Sequence, residues 1–180
     1  TGESGEGIPV RVRGMAREWN LPVPEYGMTA VGAVLDSSAS CNGVVVPVKE
    51  TQLPVFDKRE IPFGYTRVLI HPHDITVFDE GIDLGAVWAY VATRPGSPSE
   101  NAPLVQSYID VILSGFICIS EGFASEFIRS TAKWEAPWLD DRLAPRYQRA
   151  LHEVPEAKRI DDLLEKLQPE AFKKRLPPPQ

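Results

Sequence analysis

LPVFDKREIPFGYTRVLI, residues 53–70, sets four consecutive charged residues, Asp57, Lys58, Arg59 and Glu60, between a short helical stretch and a strand. The helical stretch is predicted over Gln52 to Arg59, with Thr51 as a candidate N-cap. The strand is predicted over Tyr65 to Ile70, whose aromatic and β-branched residues suit a pleated, half-buried surface. A charge run of this kind is most often solvated surface, and on charge alone this one reads so.

Upstream, IPVRVRG (Ile8 to Gly14) alternates apolar and basic residues and predicts a strand with one wet face. Leu21 to Gly27 carries two prolines and is predicted as a loop. Met28 to Leu35 and Gly43 to Val48 read as two further strands, with Asn42-Gly43 as a turn before the second and Pro47 as a bulge or edge within it. Downstream, GAVWAYVA (Gly85 to Ala92) predicts a fifth strand, and Pro95 to Pro103 a polar loop. The periodicity then changes. Leu104 to Ile119 puts Leu104, Tyr108, Val111, Ile112 and Phe116 on one helical face. Glu121 to Arg129 and Pro155 to Leu167 are predicted as further helices, the latter placing Ile160, Leu163, Leu164 and Leu167 at helical spacing. Pro177 to Gln180 is expected to be a disordered tail. Five short strands followed by helices predict an α+β fold, with a curved mixed or antiparallel, barrel-like sheet and helices packed on it. Neither internal repeats nor parallel βαβ units are visible.

The 180 residues suffice for one well-buried domain, and 43% hydrophobic with 24% charged residues reads as globular. A net charge of −6 argues against a general nucleic-acid binder, which needs clustered Lys and Arg. No stretch approaches the roughly 18 apolar residues of a membrane helix, so no membrane span is expected. Two cysteines, Cys41 and Cys118, set no disulfide framework, and no Asn-x-Ser/Thr sequon or signal segment occurs. The expected location is intracellular, cytoplasmic or organellar. The chain opens at Thr1 without Met and enters Gly-rich, acidic residues at once, which reads as a loop entered midway with a segment expected upstream.

Several other constellations hold residue types that can carry chemistry. His71, His73 and Asp74 (HPHD) have the chemistry of metal ligands, but Pro72 and their place at a strand end favour a surface loop, and further ligands at the usual spacing are lacking. Cys41 and Cys118 have no His nearby in sequence to activate a nucleophile. Ser37, Ser38 and Ser40 lack a Gly-x-Ser-x-Gly elbow. Trp134, Trp138, Asp140, Asp141, Arg142, Pro145, Arg146 and Tyr147 read as core and salt-bridge structure, with a pocket wall or docking surface as the functional alternative.

Within residues 53–70, Phe56, Asp57, Glu60, Gly64, Tyr65, Arg67 and Val68 follow the pattern apolar-Asp-x-x-Glu, short loop, Gly-Tyr-x-Arg-apolar. That pattern resembles the signature of the γ-glutamylcyclotransferase superfamily. Three segments agree in order: IPVRVRGMAREWN (Ile8 to Asn20), SCNGVVVPV (Ser40 to Val48) and PLVQSYIDVILSGF (Pro103 to Phe116), the last mapping Tyr108 and Gly115. The resemblance covers about Ile8 to Ala150. It implies a γ-glutamylcyclotransferase-like domain over 1–154, with a C-terminal helix and Pro-rich tail over 155–180. It implies that Glu60 is the catalytic acid/base and that Tyr65 and Tyr108 line the substrate pocket.

The implied reaction acts on a small γ-glutamyl amine or peptide. Its α-amine attacks its own γ-carbonyl, giving 5-oxoproline and a free amine. A carboxylate takes the proton of the attacking amine and returns one to the leaving nitrogen, with no metal or organic cofactor. The family also carries a Tyr-Gly-Ser loop that holds the substrate carboxylate, and nothing before Ile8 matches it. That departure keeps a second expectation open: the same fold without activity, serving as a subunit of a larger assembly.

Overall fold

A computed structural model of the chain describes residues 7–78 and 81–177. The acidic opening Thr1 to Glu6 and the tail residues Pro178 to Gln180 lie outside the described residues. The chain groups into two compact units. One comprises Thr1–Arg17 with Ala33–Pro95, the other Glu18–Gly32 with Gly96–Gln180. Strands β1 (Ile8–Val23) and β2 (Met28–Val45) give residues to both.

The first unit adds helix α1 (Leu53–Glu60) and strands β3 (Tyr65–Ile70), β4 (Ile75–Val77) and β5 (Val87–Ala92). The sheet runs β3-β5-β2-β1-β4 and is mixed: β3 pairs antiparallel with β5, and β5 pairs parallel with β2 at Ala33↔Val91. The β3–β5 register runs from Tyr65↔Ala92 to Ile70↔Val87. Alternation then sends Ile70, Val87 and Val91, with partly buried Val68 and Ala89, into an apolar cluster that Met15 and Cys41 complete. Tyr65, Arg67 and Leu69, opposite Ala92, Tyr90 and Trp88, stand on the other face.

Local signals misplaced some boundaries here. Asn42-Gly43 is no turn; it lies inside β2, so the second and third predicted strands are one, and Pro47 falls beyond its end. A turn dipeptide closes a hairpin only when its flanks pair with each other. Here Asn42 is buried, and Arg17 donates to both its carbonyl and its side-chain oxygen. The predicted loop from Leu21 is strand as far as Val23, and only Pro24–Tyr26 turns, as a 3-10 helix ended by Gly27 at φ 59. Thr51 caps nothing. It sits within a 3-10 turn, Glu50–Gln52, that leads into α1, where the Lys49 N–H donates to Gln52 Oε1 at 3.0 Å. Strand β4, three residues long, was too short to leave a periodic signal.

The second unit carries β6 (Leu104–Val105), α2 (Gln106–Ile119), α3 (Glu121–Ser130), β7 (Thr131–Ala132), β8 (Trp138–Leu139), α4 (Ala157–Leu167) and α5 (Pro169–Lys173). Strands β6 and β8 form a parallel pair, and β7 pairs with β1. Because Leu104 belongs to β6, the helical phase does not count from it. The fully buried stripe of α2 is Ile109, Leu113 and Ile117, with Tyr108, Ile112 and Phe116 on its flank. The Ser120 hydroxyl caps α3 by accepting from the Phe123 N–H at 3.0 Å. Trp19, Phe127, Trp134, Trp138, Ile160 and Leu164 close the core. Among the described residues, no helix is long and apolar enough to cross a membrane.

Charges tie the same unit together. Asp110, 1% exposed, accepts from Arg142 Nε and Nη2 at 2.7 and 2.8 Å, and Asp161 accepts from Arg142 Nη1 and Nη2 at 2.8 and 2.9 Å. Burial works against the Arg142 charge, but the hydrogen bonds from both carboxylates outweigh it and raise the guanidinium above its ordinary pKa. Replacing Arg142 leaves Asp110 a buried charge with, among the described residues, Gln106 alone to serve it. Arg142→Met is therefore expected to lower unfolding free energy by about 3–5 kcal/mol in urea denaturation. A loss under about 1 kcal/mol would place the cluster with ordinary surface pairs instead.

Candidate active site

Helix α1 has eight residues and buries none of them, so apolar packing does little to fix it. What fixes it is Asp57. Its Oδ1 accepts from the Tyr90 hydroxyl at 2.7 Å and meets Arg67 Nε at 3.0 Å. Tyr90 and Arg67 are cross-strand partners on the polar face of β5 and β3. The Arg67 guanidinium also lies over the Trp88 ring, 4.7 Å from its centroid.

Glu60 ends α1, and its side chain is 23% exposed. Arg59 Nε donates to Glu60 Oε1 at 2.6 Å, and the Arg59 guanidinium rests on the Phe56 ring at 5.1 Å. One oxygen is thus held and the other, Oε2, is without a hydrogen-bond partner among the described residues. A 3-10 turn, Ile61–Phe63, and Gly64 at φ 84 return the chain into β3, whose first residue is Tyr65. Only glycine adopts that left-handed backbone without strain, and it is this turn that sets Tyr65 close behind Glu60.

Glu60 lies near enough for its charge to act on Tyr65. Burial, and then the negative charge of Glu60, push the Tyr65 phenol up to about 12. Tyr90 is likewise pushed up to about 12, by burial first, then by its hydrogen bond to Asp57 and that carboxylate's charge, with Glu60 adding and Arg67 opposing. Both phenols are therefore neutral O–H donors throughout the physiological range. Tyr108 belongs to the second unit, where its ring packs edge-on to Trp19 at 6.0 Å and against Tyr147 at 4.7 Å.

Sequence reasoning missed Tyr90 and the joint held by Asp57. The alternation in VWAYVA was enough to put Trp88 and Tyr90 on one face, but which residue each opposes depends on the β3–β5 register. His71 and His73 stack with ring centroids 5.3 Å apart, and among the described residues no three His, Cys, Asp or Glu side chains could hold a metal ion. Ser38 hydrogen-bonds Asp36 locally. Cys41 is buried and Cys118 exposed, both as free thiols. Trp134, Trp138, Asp141 and Arg142 are core and ion-pair structure.

No protein-family model and no curated protein matches this sequence. Among solved structures, one described as a γ-glutamyl cyclotransferase is similar over 91% of this chain and 86% of that one, with a TM-score of 0.54 and 13% identity. That likeness is one of fold: the chain has the α+β architecture of a γ-glutamyl cyclotransferase.

The raised phenols make a prediction about pH. A neutral phenol is favoured in the fold, so each contributes stability that is whole below pH 10.0, the ordinary tyrosine value, and is lost as pH rises through about 12. In an ultraviolet titration, Tyr65 and Tyr90 are expected to ionise late. Tyr65→Phe and Tyr90→Phe should each remove one late ionisation. An unchanged late component in both variants contradicts the burial assigned to these rings.

Proposed function

We propose that the protein releases 5-oxoproline from γ-glutamyl amines or peptides, with Glu60 as the acid/base. The observation that carries this reading is the pairing of the Glu60 carboxylate, one oxygen free, with the neutral Tyr65 phenol on a fold similar to a γ-glutamyl cyclotransferase.

The chemistry follows from those two groups. The α-amine of a γ-glutamyl compound is mostly protonated at neutral pH, with a pKa of about 8. Glu60 Oε2 removes a proton, and the freed nitrogen lone pair attacks the γ-carbonyl carbon. A five-membered ring closes. As the γ-amide C–N bond breaks, the protonated Glu60 returns its proton to the departing nitrogen; the regenerated carboxylate then takes the extra proton of the ring nitrogen and passes it to the released amine, which leaves as an ammonium ion. Arg59, on Oε1, keeps the carboxylate from rotating away during the exchange. The Tyr65 hydroxyl is a donor for the γ-carbonyl oxygen and orients it for attack.

Glu60→Gln keeps size and hydrogen bonding but cannot accept the proton. It is expected to cut 5-oxoproline release by about 10²–10⁴-fold while circular dichroism stays that of the native chain. Glu60→Asp, one methylene shorter, should also lose most activity, because a base must reach within about 2.6–3.2 Å of the proton it moves. Tyr65→Phe should raise KM more than it lowers kcat. Undiminished turnover by Glu60→Gln sinks the assignment. Absence of 5-oxoproline from every γ-glutamyl compound tried favours instead an inactive subunit of a larger assembly, for which the exposed apolar side chains Val55, Ile61 and Phe63 offer a surface.

A further inference from the structure

Two carboxylates on one turn of α1 meet two phenols on one step of the β3–β5 register. Asp57 and Glu60 are three residues apart on the helix, a spacing that puts them on one face with Cβ atoms about 5–6 Å apart. Tyr65 lies opposite Ala92, so Tyr90, two residues before Ala92, is its diagonal neighbour on the same sheet face, about 7–8 Å away. The spacings match, and the two pairs differ in one respect. The Tyr90 hydroxyl donates to Asp57 Oδ1 at 2.7 Å, where Arg67 Nε also arrives at 3.0 Å. The Tyr65 hydroxyl has no hydrogen-bond partner among the described residues, although the charge of Glu60 acts on both phenols. One pair is closed and the other is open.

Apolar burial does not hold α1, since none of its side chains is buried. The contacts of Asp57 therefore decide where the helix lies across the strands. Arg67 shares that joint with a second task, because its guanidinium also lies over Trp88. The Tyr90 hydroxyl has Asp57 alone, among the described residues, to serve. We propose that Tyr90 is a positioning residue for Glu60: by closing on Asp57 it seats α1 on β5 and holds the Glu60 carboxylate short of Tyr65. A helix released from Tyr90 can let Glu60 close on the neutral Tyr65 phenol, as Asp57 closes on Tyr90. Both groups would then be satisfied by each other instead of by a substrate. This rests on the reading of Glu60 as acid/base and goes beyond it, because Tyr90 itself touches neither the substrate nor the moving proton.

γ-Glutamyl-alanine and γ-glutamyl-butylamine are the probes, with 5-oxoproline as the readout. Tyr90→Phe is expected to lower kcat about 10- to 100-fold, the worth of a hydrogen bond to a charged acceptor, and to leave KM within about twofold. Asp57→Asn keeps an oxygen for the hydroxyl and should retain most of the rate, whereas Asp57→Ala should fall as far as Tyr90→Phe. Hydrogen exchange reads the joint without turnover: the amides of Asp57 to Ile61 should exchange about 10-fold faster in Tyr90→Phe, while those of β5 keep their rates. In a Glu60→Gln background, Tyr90→Phe should cost the residual rate nothing further, since a positioning residue acts only through the group it positions. Faster exchange in α1 with a loss of kcat that vanishes in that background supports the assignment. Faster exchange with kcat unchanged overturns it and leaves Glu60 as the acid/base. A loss of kcat with unchanged exchange, or an equal further loss in the Glu60→Gln background, overturns it as well. Absence of 5-oxoproline from both probes with the wild-type protein overturns the reading of Glu60 and this one together.

Discussion

One carboxylate holds the candidate site in register. Asp57 draws a hydroxyl from β5 and a guanidinium from β3 onto a helix too short to persist alone, since isolated helices under about 12 residues are marginal in water. Because α1 buries no side chain, its anchorage is polar and directional. Glu60 leaves the last turn at an angle fixed by that joint, and Gly64 returns Tyr65 beside it. The other face of the same two strands is aliphatic and forms the core. The period of two in a β-strand thus lets a few residues serve the core and the candidate site on opposite sides of one sheet.

The second unit coheres differently. Its centre is aromatic, with Trp19 edge-on to Trp134 at 5.1 Å and Trp134 tilted on Trp138 at 5.6 Å. This packing prevails over a polar cost, because the indole nitrogens of Trp19 and Trp138 are buried without hydrogen-bond partners among the described residues, as are both amide atoms of Asn20. An unsatisfied N–H costs about 1–3 kcal/mol. A buried Trp removes about 150–250 Å² from water, which at about 25 cal/mol per Å² amounts to roughly 4–6 kcal/mol. The rings therefore remain inside, and the charged cluster around Arg142 gives the surrounding helices the directional contacts that the rings do not.

The parts legible in the sequence were those whose signals are local. Tyr65–Ile70 was read to the residue, because a β-branched run bounded by Gly64 has one plausible conformation. The helices α2, α3 and α4 were found within two residues at each end. The α+β class followed from strands preceding helices. Glu60 and Tyr65 stand out as candidates in the sequence because a motif resemblance names them and only four residues lie between them. Asn42-Gly43 misled because its meaning depends on whether its flanks pair with each other, a long-range fact. The long strands β1 and β2 were cut short for a similar reason: 16 and 18 residues far exceed the usual strand of about 5–6, and glycine and proline within them mimic ends. Tyr90 could not be tied to Asp57 without the register that brings residue 90 opposite residue 67.

The order in which the two units draw on the chain matters when the protein is made. Residues 18–32, with Trp19 among them, belong to a core whose other members all follow residue 96. During synthesis at about 5–20 residues per second, the intervening stretch takes several seconds to emerge. For that interval the first tryptophan of the aromatic centre is outside the ribosome with no helix to receive it. The first unit, complete by Pro95, has all its residues while the second still waits for most of its own. A nascent chain of this protein therefore carries an unmet hydrophobic segment between two parts of a unit free to close, which is the kind of surface that holdase chaperones recognise.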